Sequence, residues 1–364
     1  MSEGRTRRRG PGRDLGMALA ATVLVLALLE GSLRLFLPAK WDDPNALNVE
    51  PLNPDLMWLP NAFVTTENGR RIAARPFRGA VDVPRRPPPG TIRILCLGGS
   101  VTEGWPLAPD VAYPRRLQEA LAARAREPPR IEVLNGGYAG SNSSLGLFFF
   151  ESVARAYAPD VVTVHYGVND FAPSLSFGQF VSDRRYVEMH RRAEASPALR
   201  AARRIAGRCR LHEAIRRGLF SLGRRLSRAQ ETGGIRRGIF PSRVPPGDTE
   251  RNLRGFLEAG QADGFETVFV FEATVDTDYQ SIRDSFFGPY WDVFRKVARG
   301  SRAVLLTPDR VLDHQSEPRR TFFLDGCHMT PEGLRLFAGR MADELIRDGV
   351  VERAAARARA RDAR

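Results

Sequence analysis

Short, nearly continuous apolar runs recur through the chain: IRILCLG at 92–98, IEVLNGG at 131–137, VVTVHYG at 161–167, TVFVFEA at 267–273 and AVLLTP at 303–308. They are rich in Val, Ile and Leu and do not alternate cleanly with polar residues, which is the pattern of parallel strands covered on both faces. Helical patterns lie between them, at 113–126 and 144–157 for example. The last helix is the most explicit, with Thr330 as its N-cap, Pro331 in the first helical position and Leu334, Phe337, Met341 and Leu345 as one apolar stripe. Strands alternating with helices predict an α/β fold over 91–350, built as a layered sandwich around a central five-stranded parallel sheet.

Three stretches break the alternation. Some 95 residues separate the third apolar run from the fourth, far more than a crossover helix needs, so the region holds an insertion. From 184 to 254 it carries 19 Arg against six Asp or Glu, with helical text such as ALRAARRIAGRCRLHEAIRRGLFSLGRRL. A basic amphipathic helix pair of this kind can lie on an anionic membrane surface, cover a site, or pack an apolar seam on the domain beneath a solvated arginine face. The connector over 38–90 is rich in Pro and Asn and ends in VPRRPPPG, a stiff stalk and wrap-around extension. The tail over 351–364, ERAAARARARDAR from Glu352, reads as a fraying helical end.

Near the N-terminus, 15–29 carries no charge, and Leu33, Leu35, Phe36 and Leu37 continue the apolar character past Glu30 and Arg34. The 23 residues of 15–37 compare with roughly 20 needed to cross a bilayer core as a helix. Glu30 and Arg34, four apart near one end, can pair on one helix face. Arg5, Arg7, Arg8, Arg9 and Arg13 precede the segment, so the positive-inside rule keeps residues 1–14 in the cytoplasm and places the bulk of the chain in the periplasm or outside the cell. The competing readings are a cleaved signal peptide and a buried soluble helix. Against cleavage, no small-x-small site follows, since Leu37 stands two positions before Ala39.

Composition narrows the chemistry. A chain of 364 residues with 43% hydrophobic and 27% charged residues can bury a large core. Cys96, Cys209 and Cys327 are too few and too scattered for a disulfide framework or a zinc site, and His165, His190, His212 and His314 have no metal-ligand spacing. The formal charge of +13 raises nucleic acid as a partner, but only Lys40 and Lys296 among the 55 basic residues are lysine. With no phosphate loop and no RNA-stacking motif, no nucleic-acid partner and no cofactor or metal is expected.

Four motifs remain. CLGGSVTEG puts Ser100 just past the carboxyl end of the first strand, where an open parallel sheet has its ligand crevice and where a following helix aims amides at developing negative charge. FLDGCHMTPEG puts Asp325 and His328 three apart before the last helix, so that the carboxylate can fix one imidazole nitrogen while the other takes a proton from a serine. NGGYAGSNSS offers the backbone N–H of Gly140, and HYGVND offers the side-chain amide of Asn169, as donors to an oxyanion. Each motif alone is an ordinary turn; together they occupy the same end of successive strands. Asp170 reads as a loop organiser. Cys327 reads as structural, because neighbours on a loop point apart.

These motifs resemble those of the SGNH hydrolases, also called GDSL esterases and lipases, over 91 to about 348 apart from the insertion. LGGSVTEG looks like the first block, with Gly99 where the G-D-S form has aspartate; Gly140 matches the second block, Gly167, Asn169 and Asp170 the third, and Asp325 with His328 the last. The resemblance implies a flavodoxin-like three-layer α/β/α sandwich. It also implies Ser100 as nucleophile, His328 as base, Asp325 as orienting acid, and an oxyanion hole of Gly140, Asn169 and the Ser100 amide. The nucleophile-elbow pattern G-x-S-x-G of the α/β-hydrolases fails at Thr102. The expected activity is hydrolysis of carboxylic esters through an acyl-enzyme. Two alternatives use the same fold: an O-acyltransferase or deacetylase acting on a cell-envelope polysaccharide, favoured by the anchor, and a non-catalytic glycan-binding or scaffold domain.

Overall fold

The computed structural model describes residues 11–36, 66–67, 70–71, 76–79, 82–124, 130–172, 182–199, scattered positions between 201 and 225, and 242–279, 282 and 287–363. The basic N-terminus up to residue 10, most of the 38–75 connector and most of 203–241 lie outside the described residues.

Five strands form one parallel sheet: β1 Thr91–Gly98, β2 Arg130–Gly137, β3 Val161–Tyr166, β4 Glu266–Phe271 and β5 Val304–Leu306. Their spatial order is β2-β1-β3-β4-β5, the flavodoxin-like order, in which the crevice opens between β1 and β3 at the carboxyl edge. Register brings the strand ends level there, with Gly98 opposite Gly137 on one side and His165 on the other, and Tyr166 opposite Phe271. The five apolar runs are these strands. The last is shortest because Pro308 opens a 3₁₀ segment.

Alternation along the strands divides the core into two layers. Ile92, Ile94 and Cys96 of β1 pack with Tyr113, Leu117 and Leu121 of α3 (Tyr113–Arg124) and with Leu334, Phe337, Met341 and Leu345 of α9 (Pro331–Arg347). Leu95 and Leu97 face the other way. They join Phe149 and Phe150 of α4 (Ser143–Ser152), Leu253 and Phe256 of α7 (Pro246–Asp263), and Trp291 and Phe294 of α8 (Gly288–Arg299). The remaining helices are α1 Pro11–Phe36, α2 Ser100–Glu103, α5 Val168–Phe171, α6 Asp183–Ala195 and α10 Val350–Asp362. The last 22 residues of α1, Leu15–Phe36, are long and apolar enough to cross a membrane, and none of that stretch is buried within the protein.

Two expectations are revised. The tail does not fray: α10 buries Val350, Ala354 and Ala358 in the second core layer, while Arg357 and Arg361 reach the fully buried Asp160 at 3.4 and 2.9 Å. Small side chains at i and i+4 let this helix approach closely, and the arginines between them compensate a buried carboxylate. Likewise, the stretch assigned to the insertion overlaps the true crossover helix, since α7 begins at Pro246 and leads directly into β4. The end of the proline-rich connector is held by buried Arg93, which donates to the carbonyls of Pro84 and Arg85 at 2.8 and 3.1 Å.

Candidate active site

The nucleophile candidate stands at the crevice. Ser100 opens α2, a single turn closed by Gly104 in the left-handed region, so the helix dipole expected behind it is reduced to first-turn amides. Ser100 Oγ lies 2.7 Å from His328 Nε2, and His328 Nδ1 lies 2.6 Å from Asp325 Oδ2. The D-x-x-H loop is stapled at its base, where Leu324 N–H donates to the His328 carbonyl at 2.7 Å and Thr330 N–H to the Phe322 carbonyl at 2.9 Å. The second Asp325 oxygen accepts the amides of Cys327 and His328 at 2.9 and 2.8 Å. Burial pushes the Asp325 carboxyl up, but those two amides and the imidazole outweigh it and hold it below its ordinary value. It is therefore ionised at neutral pH and can stabilise an imidazolium on His328. The exposed Trp105 ring packs 4.8 Å from the imidazole and walls one side.

The oxyanion candidates arrive from the neighbouring strands. Gly140 has φ +76°, a conformation that glycine adopts without strain, and its carbonyl accepts from Arg243 Nη1 at 2.6 Å. Asn169 sits in the one-turn helix α5 and not at the strand end; its Nδ2 donates to the Ser141 carbonyl at 2.9 Å, leaving a second N–H. A Cβ placed on Gly99 would stand 2.8 Å from Asn169 Nδ2, so glycine at this position gives the amide its space, and an aspartate would displace it.

Gly167 lies against Glu272, where an added Cβ would come within 3.1 Å of Glu272 Cβ and its carbonyl. Asp170 is fully buried and accepts from Ser143 N–H at 2.8 Å, Ser143 Oγ at 2.6 Å and Thr249 Oγ1 at 2.8 Å. Burial pushes its pKa up to about 6 against those donors. Burial, with Glu272 and Asp325 nearby, pushes the Cys327 thiol up to about 12; contrary to the expectation that it points away from its neighbour, its Sγ lies 3.8 Å from His328 Nδ1. Ligand atoms of Asp325, Cys327 and His328 lie within 4.8 Å of one another, but both imidazole nitrogens already face Ser100 and Asp325, an arrangement that suits a proton relay. His165 is a core residue, buried between Tyr113 and Phe337, with its pKa pushed down to about 3 by burial.

Three residues emerge that no motif had marked. Arg243 and Asp183 form a buried pair at 2.7 Å where the insertion leaves and returns, and the pair also holds Gly140 and Asn142. Removing one partner of a buried pair strands the other charge, so Arg243→Ala should cost about 3–5 kcal/mol, read as a lowered midpoint in denaturant unfolding of the detergent-solubilised chain. An unchanged midpoint would contradict this.

Glu272, just past β4, is buried, and its Oε2 accepts the Val168 N–H at 3.0 Å. Burial pushes its pKa from 4.5 up to about 8. The folded state thus holds this proton more tightly than the unfolded chain, so stability declines as pH rises from about 4.5 to about 8 and then levels. Glu272→Gln removes that decline, and its Tm should gain on the wild type between pH 5 and pH 8.5. A constant difference across that range would contradict the assignment.

A serine–histidine–aspartate line at the carboxyl edge of a parallel α/β sheet describes the class of α/β enzymes that hydrolyse acyl bonds. The model of the GDSL-like lipase/acylhydrolase family matches residues 96–336, and the chain belongs to that family. It is accordingly a hydrolase acting on esters.

Solved structures that resemble it include LAE5, an alpha/beta hydrolase enzyme from the metagenome of Lake Arreo, Spain, at 14% identity and TM-score 0.46, covering 71% of this chain and 96% of that one. A catalytic mutant of Axe2, an acetylxylan esterase from Geobacillus stearothermophilus, matches at 14% identity and TM-score 0.45, covering 70% and 94%. A member of the lipolytic protein G-D-S-L family from Veillonella parvula matches at 12% identity and TM-score 0.41, covering 70% and 99%. No curated protein matches the chain.

Proposed function

We propose that the protein is a membrane-anchored serine esterase that works on the extracytoplasmic side. The observation carrying this reading is the continuous relay from Asp325 through His328 to Ser100, with contacts of 2.6 and 2.7 Å. His328 Nε2 takes the Ser100 proton as Oγ attacks the ester carbonyl. The Ser100 and Gly140 amides and Asn169 Nδ2 receive the negative charge on the carbonyl oxygen. The imidazolium then returns its proton to the departing alkoxide. In the second half-reaction, His328 deprotonates the water that releases the acid.

Hydrolysis of short acyl esters on purified full-length protein, with and without an acetylated oligosaccharide, tests the reading against Ser100→Ala. Acetate release from the oligosaccharide supports deacetylation, whereas transfer of the acyl group to a sugar hydroxyl supports the acyltransferase alternative. No turnover of any ester would leave a binding domain. The location is supported by the five arginines before Leu15 and by the apolar Leu15–Phe36 helix. A reporter fused after Arg364 should be active outside the cytoplasm, with the protein in the membrane pellet after a high-salt wash. A soluble product with a new N-terminus near Lys40 would mean cleavage.

A further inference from the structure

Ester chemistry gives no role to the arginine-rich insertion, and two observations locate it. The first is Glu30, the acidic residue within the apolar stretch of α1. Besides its 2.8 Å pair with Arg34, its carboxylate accepts the Arg210 N–H at 2.9 Å, the Leu211 N–H at 2.8 Å and the Cys209 thiol at 3.1 Å. A carboxylate in that position caps the helical stretch at 210–212 and fastens the insertion to α1. At 1.5 Å per residue, the attachment lies about 9 Å short of the end of α1 at Phe36. The insertion is thus fastened within the last two turns of the apolar helix.

The second observation is where apolar surface is exposed. Outside α1, four large apolar side chains among the described residues are at least half exposed: Met189, Leu199, Ile215 and Leu222. All four belong to the insertion. Positions 210–212, 214–215, 218, 222 and 225 are helical, so Ile215 and Leu222, seven apart, share one face. Leu211, half-buried, falls on the same stripe, and the exposed Arg225 lies beside it. An exposed apolar face with arginine beside it, docked on a helix long enough to cross a membrane, fits a lipid surface, with guanidinium groups meeting anionic headgroups.

We propose that the insertion is an in-plane membrane element, docked on α1 through Glu30, whose Ile215–Leu222 face lies in the headgroup region of an anionic leaflet. The inference rests on α1 spanning the bilayer. It places the catalytic domain against the membrane instead of at the end of a free tether.

The test uses the full chain in nanodiscs of phosphatidylcholine with phosphatidylglycerol, in a Cys209→Ser, Cys327→Ser background. Nitroxide labels are placed singly through Ile215→Cys, Leu222→Cys, Val25→Cys within α1, and Ile346→Cys on the exposed surface of α9. Collision with oxygen and with a water-soluble nickel chelate then reports depth. Labels at 215 and 222 should be at least fivefold more protected from nickel than the label at 346. That protection should weaken when phosphatidylglycerol is omitted or salt is raised. Nickel access at 215 and 222 equal to that at 346, with the label at 25 in lipid, would overturn the proposal while leaving the anchor intact. Protection unaltered by lipid composition and salt would mean packing on protein and would also overturn it. Nickel access at 25 as well would overturn the anchor on which it rests.

Discussion

Ser100→Ala and His328→Ala are each expected to lower kcat/KM on short-chain aryl esters by roughly 10⁴- to 10⁶-fold. The two side chains are expected to act as one unit, because the 2.7 Å contact sets the imidazole to take the serine proton. Removing either member therefore removes activation of the nucleophile. The double variant should be no worse than the worse single one, as expected for groups serving the same step. Neither change touches the core, since Ser100 and His328 are half-buried at the sheet edge, so the Tm should stay near that of the wild type. Steady-state kinetics on the three variants, normalised to folded protein, checks this. Wild-type turnover in either single variant would contradict the relay.

The second large effect concerns Asn169. As an oxyanion donor it strengthens only while charge develops, so Asn169→Ala should lower kcat by roughly 10²- to 10³-fold and leave KM nearly unchanged. Its resting bond to the Ser141 carbonyl, 2.9 Å long, contributes about 1 kcal/mol of stability at most. The two roles separate cleanly. A lowered Tm with wild-type kcat would assign Asn169 to loop structure and leave the oxyanion to backbone amides. Gly99→Asp should partly mimic the loss, because its side chain would enter the space that Asn169 Nδ2 occupies.

Legibility in the sequence followed how local each signal is. The five strands were readable because strands covered on both faces must be apolar along their length, and β1 to β4 keep nearly every position buried toward the site. The last helix was readable from its cap, and Thr330 Oγ1 does accept the Gly333 N–H at 3.2 Å. Asp325 and His328 were paired by their spacing of three, and the structure brings them together with Ser100, 228 positions away from His328. Gly140 and Asn169 were placed at the right edge of the sheet, though Asn169 belongs to a helical turn that the four residues Val168–Phe171 are too short to signal.

What stayed hidden depends on long-range partners. Arg243 is one of 19 arginines in its segment, and only folding sets it against Asp183 and the Gly140 carbonyl. Glu272 follows a strand like any loop carboxylate, until burial and the Val168 amide give it a distinct state. The tail looked too polar to pack, because its adhesion comes from Ala354, Ala358 and two arginines meeting Asp160, a residue some 200 positions earlier. No window of sequence holds both halves of such a contact.

The central claim is that Ser100 is the nucleophile of an acyl-enzyme. It is tested most directly by incubating the detergent-solubilised full-length chain with a fluorophosphonate and locating the adduct by peptide mass spectrometry. The account predicts one phosphonyl group per chain, on Ser100 Oγ, formed far more slowly in His328→Ala and absent in Ser100→Ala. Ester hydrolysis that continues with Ser100 unmodified, or with the phosphonyl group on another residue, would contradict it.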